Sequence, residues 1–560
     1  MSTASRETAP RRYASREEQA HAEIGVTDIR RSVALLLVAG FVLLLVAGMA
    51  SLFWQARLRR NMAASFAGLG ADLKKSRTAA TSKSGPQLLN RLLAPNTLLR
   101  ERIANYEDVL NREFPAAVAL REPVQRLISH LGAGDEQVYP GRDGWLFYGA
   151  DIKALTGEGL GADRPSTTAV ASQAAILQFR DFLASHDVRL VLVPTLSKAG
   201  VHAEKLIPQS SYGSSFTPLY RVRGFERWQA ELVAAGVEIY DPATVMKELR
   251  NAGQGIFLRS DTHWRPESMD AVAARLANLI GQSGQLVTAG EAPRELPPET
   301  IAAVGDTAAM LALPSEHAWC QPENVTVRPV ADATADEAEV VLLGDSFANI
   351  FSLAEMGWGK DAGLAERLAK HLAAPVRPFV RNDSGARASR ERFAQALQRG
   401  ELNLEQLRIV VWQFAERELA QGDWAEIDWE EVSRNVREVA RPAALTDAIW
   451  LQGRIAAVSD GPRADAPYAD FVIKWHLIDL QPEDGEKIDF EELVVMSFGM
   501  RQRKIDPVAA LRAGARVRIL LQEWDSVRAK YEKLNAGSLD DPLLELDLPL
   551  MWAEEVEVLQ

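Results

Sequence analysis

The fold of this chain is decided by one short stretch, Val340-Val-Leu-Leu-Gly-Asp-Ser-Phe-Ala-Asn-Ile-Phe351. It begins as a fully apolar run, which is typical of a strand buried on both faces of a parallel sheet. The run stops at Gly344 and an amphipathic segment follows, so Ser346 lies where a strand gives way to a helix. Open α/β sheets bind ligands at the carboxyl ends of their strands, and N–H groups at a helix start can stabilise an oxyanion. The stretch therefore predicts Ser346 as a nucleophile.

Similar apolar runs on either side of this stretch alternate with helical patterns. The predicted strands are 188–193, 237–240, 376–380 and 409–414, and the predicted helices are 170–185, 266–280, 364–372 and 391–398. Strands that alternate with helices and are rich in β-branched residues indicate a parallel-sheet α/β sandwich. We assign this sandwich to residues 136–445.

The pattern changes after residue 444, where short strand candidates follow one another with few helices between them. These are 451–458, 471–480, 493–498, 517–524 and 556–559. The spacing predicts a small β-rich domain over 446–560, either an OB-like five-stranded barrel or a sandwich. Its basic residues suit a solvated strand face or contact with an acidic glycan; they are Arg501, Arg503, Lys504, Arg516 and Arg518.

The amino-terminal region contains a run of 23 residues without a charge, Ser32 to Trp54. As a helix it would be about 34 Å long, enough to cross a hydrocarbon core of roughly 30 Å. A cleaved signal peptide and a buried core helix are the alternatives. We predict an uncleaved transmembrane helix at 32–54, a disordered tail at 1–31, and a stalk with a helical lead-in at 55–135. Arginines flank both ends of the run, so the positive-inside rule leaves its orientation open.

Composition limits the classes of function. The net charge of −13 disfavours nucleic acid as a partner. Cys320 is the single cysteine, which excludes an intrachain disulfide, a cysteine-based zinc cage and an iron–sulfur cluster. A lone cysteine leaves the compartment undecided.

A serine nucleophile needs a base, and His263 is the best candidate among the eight histidines. Asp261 lies two residues before it, a spacing that permits the carboxylate to orient the imidazole. The order Asp261, His263, Ser346 differs from that of α/β-hydrolases, and Gly344-Asp-Ser-Phe-Ala348 is not a G-x-S-x-G elbow. Alternatives remain open: a helix-capping serine, a capping aspartate beside a packed histidine, or half a metal site with Glu267. No third ligand is evident, so no metal is predicted.

Six separated motifs occur in one order along the chain: Gly141-Arg-Asp-Gly-Trp-Leu-Phe147, Val193-Pro-Thr-Leu-Ser-Lys198, Asp261-Thr-His-Trp264, Gly305-Asp306, Gly344-Asp-Ser-Phe347 and Val410-Val-Trp-Gln-Phe-Ala-Glu-Arg417. With these motifs, residues 136–420 resemble the SGNH-hydrolase-like domain of the AlgX/AlgJ family of alginate O-acetyltransferases. The resemblance implies a permuted SGNH fold in which the Asp-His motif precedes the serine. It implies Ser346 as nucleophile, His263 as base and Asp261 as its orienting partner.

The resemblance also implies a setting. Members of this family act in the bacterial envelope and move acetyl groups onto hydroxyls of an exopolysaccharide. By analogy we expect a single-pass protein of the inner membrane with a cytoplasmic tail and a periplasmic catalytic domain. A membrane acyltransferase would supply the acetyl donor, and no cofactor is expected. The β-rich tail does not match the carbohydrate-binding module of AlgX, so the resemblance does not identify the polysaccharide.

Four further residues are candidates for substrate contact or for the oxyanion hole: Lys198, Trp264, Asn349 and Asn382. Each of the four has a structural role as the alternative. For Trp264 this is packing in the core, where tryptophan usually lies. The predicted function is an O-acetyltransferase that works through an acetyl-serine intermediate. The alternatives are a polysaccharide acetyl esterase, which would use the same triad, and a non-catalytic glycan-binding scaffold of a polymer export complex.

Overall fold

The structure is a computed structural model that describes residues 31–54, 115–130, 132–161, 165–207, 218–282, 284, 286, 293–382, 385–434, 448–462, 468–483, 488, 490–532, 534–539 and 544–559. The chain divides into two units, Met1–Arg121 and Glu122–Gln560. The predicted disordered tail and most of the predicted stalk, residues 1–30 and 55–114, lie outside the described residues.

In the first unit, helix α1 covers Arg31–Trp54. Side chains in this helix are described for residues 31–43 and 46. Across the described residues, no helix combines the length and the apolar character that a membrane span requires. The transmembrane helix predicted at 32–54 is therefore not confirmed. A second helix, α2, covers Pro115–His130 and runs across the boundary between the two units.

The first part of the second unit, which we call the α/β part, alternates strands and helices. Its strands are β1 (Val138–Pro140), β2 (Leu146–Tyr148), β3 (Arg189–Thr195), β4 (Glu238–Ile239), β5 (Arg294–Glu295), β6 (Glu299–Ala303), β7 (Glu323–Val327), β8 (Val330–Ala331), β9 (Val340–Gly344), β10 (Val376–Val380) and β11 (Ile409–Ala415). Its helices are α3 (Gly149–Thr156), α4 (Thr167–Ala184), α5 (Lys198–Val201), α6 (Phe225–Ala234), α7 (Ala243–Asn251), α8 (Pro266–Gly281), α9 (Asp306–Met310), α10 (Ser346–Asn349), α11 (Leu364–Leu372), α12 (Gly385–Gln398), α13 (Glu418–Gln421) and α14 (Trp429–Arg434).

Five of these strands form a parallel sheet in the order β10-β9-β11-β3-β4. The predicted strands at 188–193, 376–380 and 409–414 are confirmed within two residues, whereas β4 is only two residues long. β9 occupies a central place in the sheet and pairs with β10 on one side and β11 on the other. Ser346 thus follows a central strand, as the opening stretch predicts.

Both faces of the sheet are buried, and successive residues of each strand alternate between two apolar cores. Val340 and Leu342 lie in the core shared with α8 and α11. Val341 and Leu343 lie in the opposite core, shared with α4, α6 and α12. This double burial explains the unbroken apolar runs in the sequence. The α/β sandwich is therefore confirmed.

The rest of the second unit is a β-rich domain. Its strands are β12 (Ile449–Val458), β13 (Phe471–Pro482), β14 (Leu493–Arg501), β15 (Lys504–Ile505), β16 (Arg516–Glu523), β17 (Asn535–Ala536) and β18 (Leu550–Leu559), with helices α15 (Trp524–Tyr531) and α16 (Leu544–Asp547). The strands pair in the order β14-β18-β16-β12-β13, and β13 pairs again with β14. This pairing closes a five-stranded ring, which fits the OB-like alternative. We call residues 448–559 the C-terminal barrel.

The C-terminal barrel is joined to the α/β part by apolar and polar contacts. Leu353 packs in an apolar cluster whose other buried members, such as Trp552, belong to the barrel. The backbone N–H of Asn382 donates to Oδ1 of Asn535 at 3.1 Å. Arg528 of the barrel donates to the carboxylate of Asp336 at 2.5 Å. The barrel is thus fixed next to the end of β10.

Candidate active site

Ser346 is presented by a tight strand-to-helix turn. Asp345 caps the short helix α10, because its Oδ1 accepts a hydrogen bond from the N–H of Phe347 at 2.9 Å. Its Oδ2 accepts from the N–H of Ala415, at the end of β11, at 2.7 Å. A Cβ on Gly344 would stand 2.7 Å from that of Ala348, so the turn requires glycine here. The aspartate of the Gly-Asp-Ser motif is therefore structural.

A buried chain of hydrogen bonds links the ends of three strands beneath the serine. The N–H of Asp345 donates to Oε1 of Gln413 on β11 at 3.1 Å. Nε2 of Gln413 donates to the hydroxyl of Thr195 on β3 at 3.1 Å. These contacts hold the turn that carries Ser346 against its neighbouring strands.

Asp261 and His263 lie in a loop that ends where helix α8 begins. Oδ1 of Asp261 accepts hydrogen bonds from Nδ1 of His263 at 2.6 Å and from the backbone N–H of His263 at 3.0 Å. Oδ2 accepts from the N–H of Asp306 and from the indole Nε1–H of Trp358, both at 2.9 Å. Four N–H donors thus hold this buried carboxylate in its charged form.

The environment shifts the pKa values of both groups. Burial acts to raise the pKa of Asp261, but the hydrogen bond and charge of His263 outweigh it and the pKa is lowered. Burial acts to lower the pKa of His263, but the hydrogen bond to Asp261 and the charges of Asp261 and Asp306 raise it above 6.5. The imidazolium form is therefore stabilised, as a general base requires once it has accepted a proton.

His263 and Ser346 line the same cavity, whose volume is about 100 Å³. Only 3% of His263 and 8% of Ser346 is exposed to solvent. Within the described part of the chain, Nε2 of His263 is buried and has no hydrogen-bond partner. With Nδ1 donating to Asp261, this nitrogen is the acceptor of the imidazole. The structure thus brings the three residues of the predicted triad to one cavity.

Metal binding is the alternative role for Asp261 and His263. Ligand atoms of Asp261, His263 and Asp306 lie within 4.8 Å of one another. However, the four N–H donors on Asp261 match the roughly four lone pairs that a carboxylate offers. A cation would have to displace them, so the donor set fits a hydrogen-bonded dyad better. Glu267, the ligand considered from the sequence, forms an ion pair with Arg265 at 3.3 Å instead.

Lys198 lies beneath the cavity rather than in it. The side chain is 1% exposed, and its ammonium group donates to the backbone carbonyls of Leu146, Arg259 and Asp261 at 2.5, 2.7 and 2.9 Å. Burial lowers the pKa of Lys198 to about 7, against the opposing charges of nearby carboxylates. The predicted substrate contact has no support from this position. The lysine ties the loop that carries Asp261 to strand β2.

The other candidates for substrate contact divide into two groups. Trp264 is fully buried and its indole N–H donates to the carbonyl of Phe347 at 3.0 Å. Asn349 is 1% exposed and its Nδ2 donates to Oδ1 of Asn382 at 3.0 Å. Of these three residues, Asn382 alone lines the cavity.

Several cavity residues were not predicted as site residues. Arg417 lines the cavity and pairs with the buried Asp151 at 3.1 Å. Asp306 and Arg417 stand in the motifs quoted above, which is the signal that could have identified them. Tyr468 and Arg503 come from the C-terminal barrel. The sequence analysis considered Arg503 for contact with an acidic glycan, but no local pattern indicates that either residue reaches this cavity.

A larger cavity of about 920 Å³ lies elsewhere, lined by residues that include Tyr240, Arg275 and His371. Its described lining offers no serine or cysteine, and Nε2 of His371 lies 2.7 Å from Oδ1 of Asp270. We therefore place the chemistry in the smaller cavity.

The buried ammonium group provides a stability test. Lys198→Met should lower the free energy of unfolding by about 3 kcal/mol, because three buried carbonyls lose their N–H donor. Urea denaturation followed by tryptophan fluorescence measures this change. The control Lys205→Met removes an exposed partner of Asp143 and should leave the denaturation midpoint nearly unchanged. Equal midpoints for the two variants would contradict the structural role.

Asp306 provides a pH test. The raised pKa of His263 means that the base is neutral only at higher pH, so activity should rise with pH along a limb centred above 6.5. Asp306→Asn removes one of the charges that raise this pKa, and the limb should move to lower pH. The profile of kcat/KM for a chromogenic ester measures it. Glu355→Gln, which changes another residue that lines the cavity, is the control. If the limb does not move in Asp306→Asn, His263 is not the base whose protonation sets the pH profile.

Known proteins are similar to the part of the chain that carries this site. The family model described as "SGNH hydrolase-like domain, acetyltransferase AlgX" matches residues 138–416. The "Probable alginate O-acetylase AlgJ" of Azotobacter vinelandii is 27% identical over 53% of this chain and 74% of its own length. The protein of the same name from Pseudomonas putida is 26% identical over 58% of this chain and 84% of its own length.

Among solved structures, the O-acetyltransferase domain of Pseudomonas putida AlgJ is similar, with 23% identity, a TM-score of 0.40, and coverage of 53% of this chain and 98% of that one. The resemblance predicted from the six motifs is confirmed by the family model. Through residues 138–416, the chain belongs to the AlgX/AlgJ-like family of SGNH hydrolase-like proteins.

Proposed function

We propose that this protein is an O-acetyltransferase that places acetyl groups on hydroxyls of a polysaccharide. The observation that carries the proposal is the Asp261–His263 dyad, joined at 2.6 Å, in the same cavity as Ser346. Membership of an acetyltransferase family supports the reaction class, and the names of the relatives support a polysaccharide acceptor.

In the first step, Nε2 of His263 takes the proton of the Ser346 hydroxyl while the oxygen attacks the carbonyl carbon of the acetyl donor. The tetrahedral intermediate collapses, its bond to the donor breaks, and the leaving group takes the proton from the imidazolium. The product is acetyl-Ser346. Asp261 holds the ring and stabilises the imidazolium, so that the transient positive charge is not buried alone.

Two groups are suited to the negative charge of the tetrahedral oxygen. One is the backbone N–H at Ser346, at the start of α10. The other is the side-chain amide of Asn382, which lines the cavity. Because Oδ1 of Asn382 accepts from Asn349, its amide N–H₂ group is the part that remains to donate. Asn349 is then a positioning residue for the oxyanion hole.

In the second step, a sugar hydroxyl attacks the acetyl-serine. Nε2 of His263 takes the proton of this hydroxyl, the ester bond to Ser346 breaks, and the serine oxygen recovers a proton from the imidazolium. Water in place of the sugar hydroxyl would give free acetate, which is the esterase alternative. The same triad serves both reactions, so only the choice of acceptor separates them.

The cellular location of the protein and the source of its acetyl groups are also part of the proposal. A charge-free run of 23 residues supports a membrane anchor at 32–54, with the α/β part in the periplasm. A membrane acyltransferase would then deliver the acetyl group, and the acceptor would be an exopolysaccharide near the inner membrane. The lack of any predicted cofactor is consistent with acyl transfer through a serine ester.

Ser346→Ala and His263→Ala test the catalytic roles. Each should lower the rate of 4-nitrophenyl acetate hydrolysis by about 10⁴-fold or more, because nucleophile and base act as a unit. Ser352→Ala is the matched control, since this nearby buried serine donates to Glu366 at 2.5 Å and does not line the cavity. Hydrolysis that survives in both triad variants would contradict the catalytic roles of Ser346 and His263, whereas a wild-type protein without activity would support the non-catalytic scaffold.

The acceptor is tested in the same assay. With 4-nitrophenyl acetate as donor and a mannuronate oligosaccharide as acceptor, the wild-type protein should yield acetylated oligosaccharide, detected by mass spectrometry. Free acetate as the only product, whichever oligosaccharide is offered as acceptor, would make the protein an esterase.

A further inference from the structure

The cavity around Ser346 has a buried floor and an exposed rim. The floor is formed by the triad residues, all less than one-tenth exposed. The exposed lining residues are Val304, Glu355 and Arg503, and they form the rim. Val304 and Glu355 belong to the α/β part, whereas Arg503 belongs to the C-terminal barrel. The rim is therefore built by two domains.

Arg503 is carried by a two-residue hairpin turn between β14 and β15. Arg501 pairs with Lys504 across the turn, and Gln502 and Arg503 between them have φ values of 49° and 62°. Turns with two left-handed residues usually contain asparagine or glycine, because a side chain is strained there. An arginine at such a position is unusual, and strained residues of this kind concentrate at functional sites.

The position of this turn is fixed on both sides. The N–H of Gln502 donates to Oδ1 of Asp470 at 2.6 Å, and the N–H of Arg503 donates to the carbonyl of Ala469 at 2.7 Å. The same segment carries Tyr468, which also lines the cavity. The contact between Asn382 and Asn535 fixes the barrel beside the cavity.

The guanidinium of Arg503 lies within the electrostatic reach of the catalytic cluster. Although the residue as a whole is exposed, partial burial of the guanidinium lowers the pKa of Arg503, and the charges of Asp306 and Asp261 oppose this shift. The group keeps its charge at any working pH. It offers a fork of N–H donors that suits the oxygens of a sugar, including a carboxylate.

The depth of the reacting oxygen determines which part of an acceptor lies near this arginine. Ser346 is 8% exposed and His263 is 3% exposed, so both lie on the floor of the cavity. An acceptor polymer that presents one hydroxyl to Ser346 therefore keeps the rest of its chain at the rim.

We propose that Arg503 binds the acceptor glycan at the rim, and that the C-terminal barrel is for this reason part of the active site. This inference rests on the proposed function. It assigns the barrel a role in acceptor selection: Ser346 and His263 form the acetyl-enzyme, and Arg503 holds the sugar that removes the acetyl group. Formation of the acetyl-enzyme from a small ester does not need Arg503.

Arg503→Gly tests the proposal with little risk to folding, because glycine relieves the left-handed strain of the turn. The variant should hydrolyse 4-nitrophenyl acetate within about twofold of the wild-type rate. Its KM for a mannuronate oligosaccharide in the transfer reaction should rise about 10-fold, the loss expected for one charge-assisted hydrogen bond. Its Tm should be equal to or above that of the wild type. Arg503→Lys should recover part of the affinity.

Gln502→Gly is the matched control, since it relieves the same strain one residue away and does not line the cavity. It should keep the wild-type KM for the acceptor. An unchanged KM in Arg503→Gly, equal losses in transfer and hydrolysis, or an equal effect of Gln502→Gly would each overturn the proposal.

Failure of the proposed function would give a different pattern. If the wild-type protein transfers acetyl to no oligosaccharide, the transferase proposal fails. The role of Arg503 is then measured with acetylated mannuronate oligosaccharide as the ester. In this substrate the sugar is the leaving group, and it lies at the same rim. An increased KM for this ester in Arg503→Gly, with unchanged hydrolysis of 4-nitrophenyl acetate, would still support sugar binding. An unchanged KM would refute it.

Discussion

The hydrogen bond between the Asp261 carboxylate and Nδ1 of His263 is the interaction on which the site depends. Both groups are buried, and a buried charge is costly unless it is paired and hydrogen-bonded. The structure meets this cost with four N–H donors on Asp261, which come from His263, Asp306 and Trp358. The loop around Asp261 is anchored in turn by the ammonium group of Lys198. The geometry of the imidazole thus depends on distant parts of the chain.

The sheet explains why these parts meet. In a parallel sheet the carboxyl ends of all strands lie at one edge, and loops that follow different strands converge there. Ser346 follows β9, Asn382 follows β10 and Arg417 follows β11. All three line the cavity. The C-terminal barrel completes this edge from outside with Tyr468 and Arg503, so the α/β part supplies the candidate triad and the barrel supplies part of the rim.

The sequence predicted the elements that depend on local pattern. The β9 strand and the turn at Ser346 follow from an apolar run that ends at Gly344, and the Asp261–His263 pairing follows from a two-residue spacing. The roles of Lys198 and Trp264 could not be predicted, because tertiary packing turns both side chains inward, toward carbonyl groups. The contact of Trp358 with Asp261 joins residues 97 positions apart, and no local pattern reports it.

Acyl transfer by this site requires a covalent intermediate, an acetyl ester on the side-chain oxygen of Ser346. The full-length protein should be incubated briefly with 4-nitrophenyl acetate without acceptor, quenched in acid, digested and analysed by tandem mass spectrometry. We expect an acetyl group on Ser346 in the wild-type protein and no acetyl group on this serine in His263→Ala. Turnover of the ester without acetylation of Ser346, or with acetylation at another residue, would contradict this expectation.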